Sequence, residues 1–374
     1  MGQADGAGSS GPGLPARGDD VPTRERTETP APGRPPEHED VVGGRSSLHV
    51  SFVTADGIAD HPAEALDRLL ARTDGFVWVD VPEYDAAADD LLAGPLGAHA
   101  LVRQACAERN FVPTVHSYEH QLFVILHAPL TGEGGHVHVL ELDELIGDRY
   151  LVTVHGPRNP VVSLEDATEE TRSVRSRIVA GRLRPASPHE LAYALGSATA
   201  RRQSAAVREV ASRLPALEAQ VMAADFHKPE ELLEQLFLLR HELVTARTMA
   251  AQGHDIQARV TSLDRFVPEE ARRRAADLAD QFERVRSLGD GEIQFLVGVI
   301  DLYQTRVTTK MTVAMERLAV IAAITLPVTA IASVYGMNLI VNTETHVAQL
   351  AIVLGIMTGI SLGLLRWARR QGWW

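Results

Sequence analysis

The 374-residue sequence has little of three things that define common functional classes. A single cysteine, Cys106, permits no intramolecular disulfide and no zinc site built from several thiolates. The chain has 36 Lys and Arg against 49 Asp and Glu, and its formal net charge of −13 argues against a nucleic-acid-binding protein. No Ser–His–Asp arrangement, phosphate-binding loop or pair of catalytic carboxylates stands out, so the sequence does not predict an enzyme.

Large apolar side chains are scarce in the first 46 residues, which are rich in Gly, Pro and charge. Such a segment buries too little surface to offset the entropy lost on ordering it. It also has no apolar run after a positively charged start, which a secretory signal would need. We therefore predict a disordered tail over residues 1–46.

Charged side chains are missing from two long stretches near the C-terminus, although the mean hydropathy of the whole chain is only −0.06. Residues 318–343 and 345–365 contain no Asp, Glu, Lys or Arg. About 20 apolar residues cross a bilayer as a helix. The sequence thus predicts transmembrane helices over residues 318–338 and 347–368, joined by an outer loop over 339–346. A pair of buried helices in a soluble protein is the less favoured alternative.

The basic residues around these spans predict the orientation of the chain. The loop between the spans has no Lys or Arg, whereas basic residues flank the far end of both spans: Arg306, Lys310, Arg317, Arg366, Arg369 and Arg370. Both termini are expected in the cytoplasm, with residues 369–374 as a basic and aromatic cytoplasmic tail. The predicted location is the cytoplasmic (inner) membrane, crossed twice.

The body of the chain changes from strand-type to helical patterns. Runs rich in Val, Leu and aromatic residues predict strands at 48–55, 75–81, 121–128, 136–143 and 150–155, with helical stretches near 62–72 and 85–108. Ile146-Gly147-Asp148 suits a hairpin turn between the last two strands. The predicted fold class is an α+β cytoplasmic domain with a mixed sheet over 47–187, long stalk helices over 188–317 and a two-helix transmembrane hairpin.

One face of the last stalk helix, which continues into the first span, is small, hydroxylated or acidic, with bulky residues only at Met315 and Leu326. Steps of 3.5 residues along this face reach Asp301, Thr305, Thr308, Thr312, Met315, Ala319, Ala322, Leu326, Thr329, Ser333 and Gly336, here called the stripe. Polar groups in hydrocarbon are costly unless they face protein or water. Two interpretations remain equally weighted: close packing of helices through small residues, or a pore that several copies line with this face. A long amphipathic helix that enters a membrane needs partner helices, so we expect an oligomer.

A four-residue motif, Tyr335-Gly336-Met337-Asn338, ends the first span and precedes a short loop and a second span. In this position it resembles the signature Gly-Met-Asn of the CorA magnesium-transporter family. The stretch LPVTAIASVYGMN resembles the same family, and the similarity is expected to cover residues 48–374. The resemblance implies a homopentamer in the lipid bilayer with a pore along the first span. It implies transport of divalent cations, no organic cofactor and no nucleic-acid partner.

The resemblance also implies roles for single residues. Asn338 would ring the outer mouth, with Gly336 and Met337 shaping the turn and Thr329 forming a second ring. Met315, Leu318 and Leu326 would form a hydrophobic gate. The cytoplasmic part of the pore would contain an acidic position and three hydroxyl positions: Asp301, Thr305, Thr308 and Thr312.

The family senses Mg²⁺ at interfaces between subunits, and Asp277 and Asp280 match the acids on the stalk side. The facing acids are missing, because the corresponding stretch is residues 99–105, HALVRQA. Feedback by a regulatory Mg²⁺ is therefore in doubt. In the outer loop, Glu344 either attracts cations to the entrance or is an ordinary solvated acid.

Two histidine pairs are weaker metal candidates. His136 and His138 alternate along a predicted strand without a third ligand, and His116 and His120 are four apart but lie beside a strand. The function predicted overall is passive transport of a divalent cation, most favourably Mg²⁺. The alternatives are a zinc transporter of the same superfamily, against which Met337 argues, and a membrane-anchored scaffold that does not conduct. Permeability to Co²⁺ or Ni²⁺ is left open by the sequence.

Overall fold

The computed structural model describes residues 48–223, 229–336 and 347–372. The chain divides into two units, Met1–Arg45 and Ser46–Trp374, and the described residues lie in the second. That unit begins with a sheet and its flanking helices and continues into long helices. The tail predicted as disordered lies outside the described residues and stays a prediction.

A seven-stranded mixed sheet has the strand order β2-β1-β3-β7-β6-β5-β4. Among the described strands, β3 and β7 pair in parallel, and the other neighbours pair antiparallel. The strands are β1 (His49–Thr54), β2 (Gly57–His61), β3 (Gly75–Val81), β4 (Val115–Tyr118), β5 (Gln121–Thr131), β6 (Val137–Ile146) and β7 (Tyr150–Val154).

The five strands expected from the sequence are confirmed as β1, β3, β5, β6 and β7. The turn at residues 146–148 is also confirmed, because β6 and β7 form an antiparallel hairpin in which the Gly147 amide donates to the Tyr150 carbonyl at 2.9 Å. The edge strands β2 and β4 were not predicted. Both are short, and their exposed faces carry polar residues, so their pattern is that of a loop.

Short helices cover the sheet: α1 (Leu66–Leu70), α2 (Ala86–Ala93), α3 (Ala100–Ala107), α4 (Leu164–Ala167) and α5 (Glu169–Val179). The helical stretch expected over 85–108 is two helices, α2 and α3. The chain turns between them at Gly97, whose φ of +56° lies in the left-handed region that glycine tolerates. The following amide, of Ala98, donates back to the Leu92 carbonyl at 2.8 Å.

Four long helices follow: α6 (Pro188–Met222), α7 (Pro229–Thr261), α8 (Glu269–Gly336) and α9 (Val347–Arg370). Ser187 caps the start of α6, because its hydroxyl accepts from the Glu190 amide. Pro188 lies in the first turn, where its missing N–H costs nothing. The 68 residues of α8 rise about 100 Å at 1.5 Å each. The prediction that stalk and first span form one continuous helix is confirmed.

Three apolar clusters hold these elements together. One lies between a sheet face and the helices α5 to α8, around Trp78, Leu195 and Phe282. The second lies on the other sheet face, under α1 to α3. The third joins α6, α7 and the lower part of α8, as far as Tyr303.

The upper part of α8 and the helix α9 lie outside these clusters. Both are long and apolar enough to cross a membrane, and their most apolar windows are only 6% and 0% buried. A core helix of a soluble protein would be mostly buried, so this exposure argues against the soluble alternative. From residue 318 to 336 α8 rises about 28 Å, close to the thickness of the hydrocarbon layer.

Candidate functional site

The stripe is exposed along its whole length in the single chain. Each of its eleven members, from Asp301 to Gly336, belongs to the most accessible class of residue. Because α8 is continuous across this range, the stripe is one surface that extends from the end of the helical stalk to the end of the first span.

The opposite side of the same segment packs against α9. Its buried and half-buried positions are Glu316, Val320, Ile324, Pro327, Val328, Ile331 and Tyr335. At about 100° per residue, their mean direction lies roughly 160° from that of the stripe in the span. The second span therefore covers one face of α8 and leaves the stripe free for other contacts.

Threonine hydroxyls of α8 donate to the carbonyl four residues earlier. Thr312 Oγ1 donates to the Thr308 carbonyl at 3.0 Å, Thr305 to Asp301 at 2.9 Å, and Thr329 to Thr325 at 2.8 Å. Since a hydroxyl has one donor and two acceptor lone pairs, these bonds leave the oxygen as an acceptor. The stripe can thus present oxygen atoms to a positively charged or hydrogen-donating group.

The apolar side chains expected to form a gate are unusually exposed. Met315 is 62% exposed, Leu318 is 65% exposed and Leu326 is 68% exposed. Met315 and Leu326 lie on the stripe, and Leu318 lies on its flank. Apolar surface of this extent marks contact with protein or lipid.

Asp301 lies on α8 about 25 Å along the helix from the start of the predicted span. Neighbouring side chains of the other face, Val299, Ile300 and Tyr303, are buried in the helical cluster there. The Asp301 carboxylate is exposed on the stripe. A negative charge at that point would raise the local concentration of cations.

The signature residues lie at the edge of what the structure describes. Gly336 is the last residue of α8. Met337, Asn338 and Glu344 lie outside the described residues, so their expected roles stay predictions.

Asp277 and Asp280 are exposed on α8, within the stalk. Asp277 accepts hydrogen bonds from Tyr193 Oη at 2.5 Å and Gln281 Nε2 at 2.9 Å. The bond from Tyr193, followed by that from Gln281, lowers the pKa of the Asp277 carboxyl. Asp277 is therefore held as an anion by neutral donors of its own chain.

The stretch that lacks the facing acids forms the start of α3. His99 caps this helix, its Nδ1 accepting from the Leu101 amide at 3.2 Å. Arg103 donates to Asp89 at 2.8 Å. A basic residue and its acidic partner thus occupy this surface of the α/β domain.

The histidine pairs do not form metal sites within the described part of the chain. His116 lies on β4 and His120 in the following turn, so they are not one turn apart on a helix. The rings of His136 and His138 are 4.8 Å apart, edge to face. No group of three or more His, Cys, Asp or Glu suited to a metal ion occurs among the residues described.

Sequence reasoning missed a buried acidic segment of β6. Asp143 and Glu144 are 0% and 2% exposed, and both Asp143 carboxylate oxygens and Glu144 Oε1 lack hydrogen-bond partners within the described residues. Burial and the neighbouring Glu141 raise the pKa of Asp143, and burial raises that of Glu144 to about 8. The run Glu141–Glu144 in a strand flanked by others was the available signal, since acids on a central strand are rare.

Comparison with known proteins gives concordant matches. The family model for the CorA-like Mg²⁺ transporter protein matches residues 73–370. YfjQ of Bacillus subtilis (strain 168), which carries a provisional designation as a metal ion transporter, is 25% identical over 312 residues, which are 82% of this chain and 93% of YfjQ.

Two solved structures share the fold. The complete structure of the CorA magnesium transporter from Methanocaldococcus jannaschii matches with a TM-score of 0.72 at 18% identity, covering 87% of this chain and 98% of that one. The cytoplasmic domain of ZntB from Vibrio parahaemolyticus RIMD 2210633 matches with a TM-score of 0.52 at 9% identity, covering 71% and 97%.

Proposed function

Because this chain belongs to the family of CorA-like Mg²⁺ transporter proteins, we propose that it conducts hydrated divalent cations, Mg²⁺ above all, through a pore lined by the stripe. Its family is one of metal ion transporters and not of enzymes. The observation that carries the proposal is the position of the stripe, which faces away from α9 and offers hydroxyl oxygens along a membrane-spanning helix.

The proposed pore requires several copies of the chain. A single helix cannot enclose water, and the exposed Met315, Leu318 and Leu326 need contacts that one chain does not provide. Copies arranged around an axis would turn each stripe position into a ring. The proposed number of five copies comes from the resemblance to the family. The exposed apolar side chains of one chain support only the need for several copies.

The chemistry of the stripe suits an ion that keeps its water. Mg²⁺ sheds its hydration shell reluctantly. Hydroxyl oxygens at Thr312 and Thr329, and the amide of Asn338 at the mouth, would accept hydrogen bonds from those waters without replacing them. Weak binding at several positions allows the ion to leave as well as enter. The rings of Met315 and Leu326 would close the pore by excluding water.

Membrane potential supplies the driving force in this proposal. A divalent ion entering an inside-negative compartment gains about 4.6 kcal/mol per 100 mV. Basic residues precede the span on α8, at Arg306, Lys310 and Arg317, and others lie in the last turn of α9. They support an orientation in the inner membrane with both termini in the cytoplasm.

The experiment is ion uptake into proteoliposomes that hold the purified full chain, with Mg²⁺ and Zn²⁺ measured in parallel. We expect saturable Mg²⁺ uptake that Asn338→Ala lowers at least tenfold. Asn342→Ala removes an amide from the outer loop that follows the motif. It is the matched control and should retain at least half of the flux.

Three results would contradict the proposal or part of it. Uptake of Zn²⁺ without Mg²⁺ would replace the ion. Equal loss in both variants would remove the special role of Asn338. No flux of either ion, from a protein that is a folded oligomer by size-exclusion light scattering, would favour a scaffold that does not conduct.

A further inference from the structure

A basic cavity lies away from the stripe, between α5, the connection to α6, α6 itself and the stalk part of α8. Its volume is about 270 Å³. The charged residues that line it are four arginines and one acid: Arg177, Arg184, Arg201, Arg274 and Glu190. Tyr193, Leu183 and Pro185 form part of its less polar wall.

Rigid elements hold most of these side chains. Glu190, Tyr193 and Arg201 lie three and eight residues apart, which places them along one side of α6. Arg274 and Gln281 lie two turns apart on α8 and face the same cavity. Arg177 comes from the last turn of α5. Packed helices therefore supply most of the cavity wall, and the connection between α5 and α6 supplies the rest.

The positive charge in the cavity is only partly balanced. Arg274 pairs with Glu190 at 2.7 Å and with Glu270 at 3.3 Å, yet its Nε is buried without a hydrogen-bond partner. Within the described part of the chain, no ion pair or side-chain hydrogen bond involves Arg177, Arg184 or Arg201.

Nearby arginines on the same helices, outside the cavity, do have acidic partners. Arg202, the next residue after Arg201, pairs with Glu169 at 3.3 Å and Glu170 at 3.1 Å. Arg175, two residues before Arg177 on α5, pairs with Asp60. An acidic chain thus supplies counter-ions to arginines outside the cavity and leaves three inside it without one.

Like charges converge in the cavity, at a cost that a bound anion would remove. Partial burial and the neighbouring Arg177 lower the pKa of Arg201. Guanidinium groups match phosphate oxygens in a two-pronged geometry and are the side chains best suited to phosphate recognition. Three free guanidiniums around a small concave space suit several linked phosphates better than one carboxylate.

We propose that this cavity binds the phosphate chain of a small polyphosphate anion, the chemistry shared by inorganic triphosphate and nucleoside triphosphates. Arg177, Arg184 and Arg201 would contact the phosphates, and Arg274 would add positive charge to the cavity wall. Since Arg274 and Gln281 belong to the helix that continues into the stripe, a bound anion would contact the stalk of the proposed pore directly. The binding itself does not depend on transport.

The test is isothermal titration of the full chain in lipid nanodiscs, first freed of divalent ions. Inorganic triphosphate, ATP and orthophosphate are the three titrants. We expect triphosphate to saturate one site per chain, with Arg177→Gln and Arg201→Gln each weakening its affinity at least tenfold. Arg201→Lys keeps the positive charge but loses the two-pronged hydrogen bonding of the guanidinium. It should weaken the affinity for triphosphate less than Arg201→Gln. Arg68→Gln, an exposed arginine under the other face of the sheet, should change it less than twofold.

The three titrants and a measurement of oligomeric mass decide which anion binds and whether the proposal holds. Equal affinity for triphosphate and ATP assigns recognition to the phosphates, and tighter ATP binding adds a contact to the nucleoside; both support it. Absence of saturable triphosphate binding overturns it, as does equal weakening by Arg68→Gln. If the cavity variants change the oligomeric mass while no titrant binds, an acidic surface of a second copy occupies the cavity and the proposal is wrong. Unfolding midpoints within about two degrees of the parent guard against a misfolded variant.

Discussion

At the scale of single residues, the chain uses polar groups in two opposite ways. Hydroxyls such as that of Thr329 satisfy their donor within the helix and keep acceptor lone pairs for an outside partner. The carboxyls of β6 do the reverse, because burial there favours their protonated form. Both arrangements avoid an unpaired charge in an apolar setting.

Glu144 provides a prediction about pH. Its folded-state pKa of about 8 lies above the ordinary 4.5, because burial disfavours the charged carboxylate. The folded chain therefore binds more protons than the unfolded chain between about pH 4.5 and pH 8. This contribution to stability is fully present below pH 4.5 and is lost as the pH rises through 8, with a slope of at most about 1.4 kcal/mol per pH unit.

Glu144→Gln keeps the shape and removes the titration. We expect this variant to raise the unfolding midpoint of the full chain more at pH 9 than at pH 6, measured by thermal unfolding in detergent. Glu64 is an exposed acid beside α1. Glu64→Gln should leave the difference in unfolding midpoint between pH 6 and pH 9 as it is in the parent. A Glu144→Gln variant with the pH dependence of the parent would rule out Glu144 as the titrating group.

At the scale of elements, α8 joins the soluble body to the membrane, and its packing against α7 depends on close approach. Gly253 of α7 faces Phe282 of α8, and a Cβ at Gly253 would lie 2.9 Å from two ring atoms of that fully buried side chain. Ordinary contacts between carbon atoms are longer, so the glycine permits the two helices to meet.

Gly253→Ala is predicted to destabilise the stalk by about 1–3 kcal/mol through overpacking, in spite of the better helix propensity of alanine. Gly291→Ala gains the same propensity on α8, where a Cβ meets nothing within 4 Å of the single chain. We expect the unfolding midpoint to fall for the first variant and to hold or rise for the second. A fall of equal size in both would show that helix packing at Gly253 is not the cause.

Sequence patterns predicted elements well where they were long or strongly periodic. Uninterrupted helical spacing across Asp301 and Leu318 was enough to predict one helix through stalk and membrane. The edge strands β2 and β4 were not predicted, because their sequences, GIADH and VHSY, carry polar residues at exposed positions. The break between α2 and α3 depends on the left-handed Gly97 and on a backbone bond from Ala98, which only the folded chain reveals.

At the scale of the whole molecule, a single chain does not enclose the proposed pore. α9 covers the face of α8 around Val320, and the stripe around Ala319 and Met315 is left uncovered. The proposed assembly requires that stripes of different copies meet.

Cysteine cross-linking tests this arrangement, and the chain is convenient because Cys106 is its sole cysteine. In a Cys106→Ser background, Ala319→Cys should form disulfide-linked dimers in membranes on mild oxidation, seen on non-reducing gels. Ile324→Cys, on the side of α9, is the matched control and should give at least fivefold less dimer. Strong dimer formation by Ile324→Cys with none from Ala319→Cys would place α9 towards the axis and remove the stripe from the pore.

The sequence by itself determined the organisation of the chain, because the two uncharged spans, the period of the stripe and the motif at residues 335–338 are local patterns along the chain. It also indicated the family, since Gly336-Met337-Asn338 holds its place relative to those spans. Only the tertiary structure decided which face α9 covers, which carboxyls of β6 are buried, and that Arg177, Arg184 and Arg201 share one cavity. These facts depend on contacts between residues that are distant in the chain. A local sequence pattern does not predict how far apart such residues lie or how deeply they are buried.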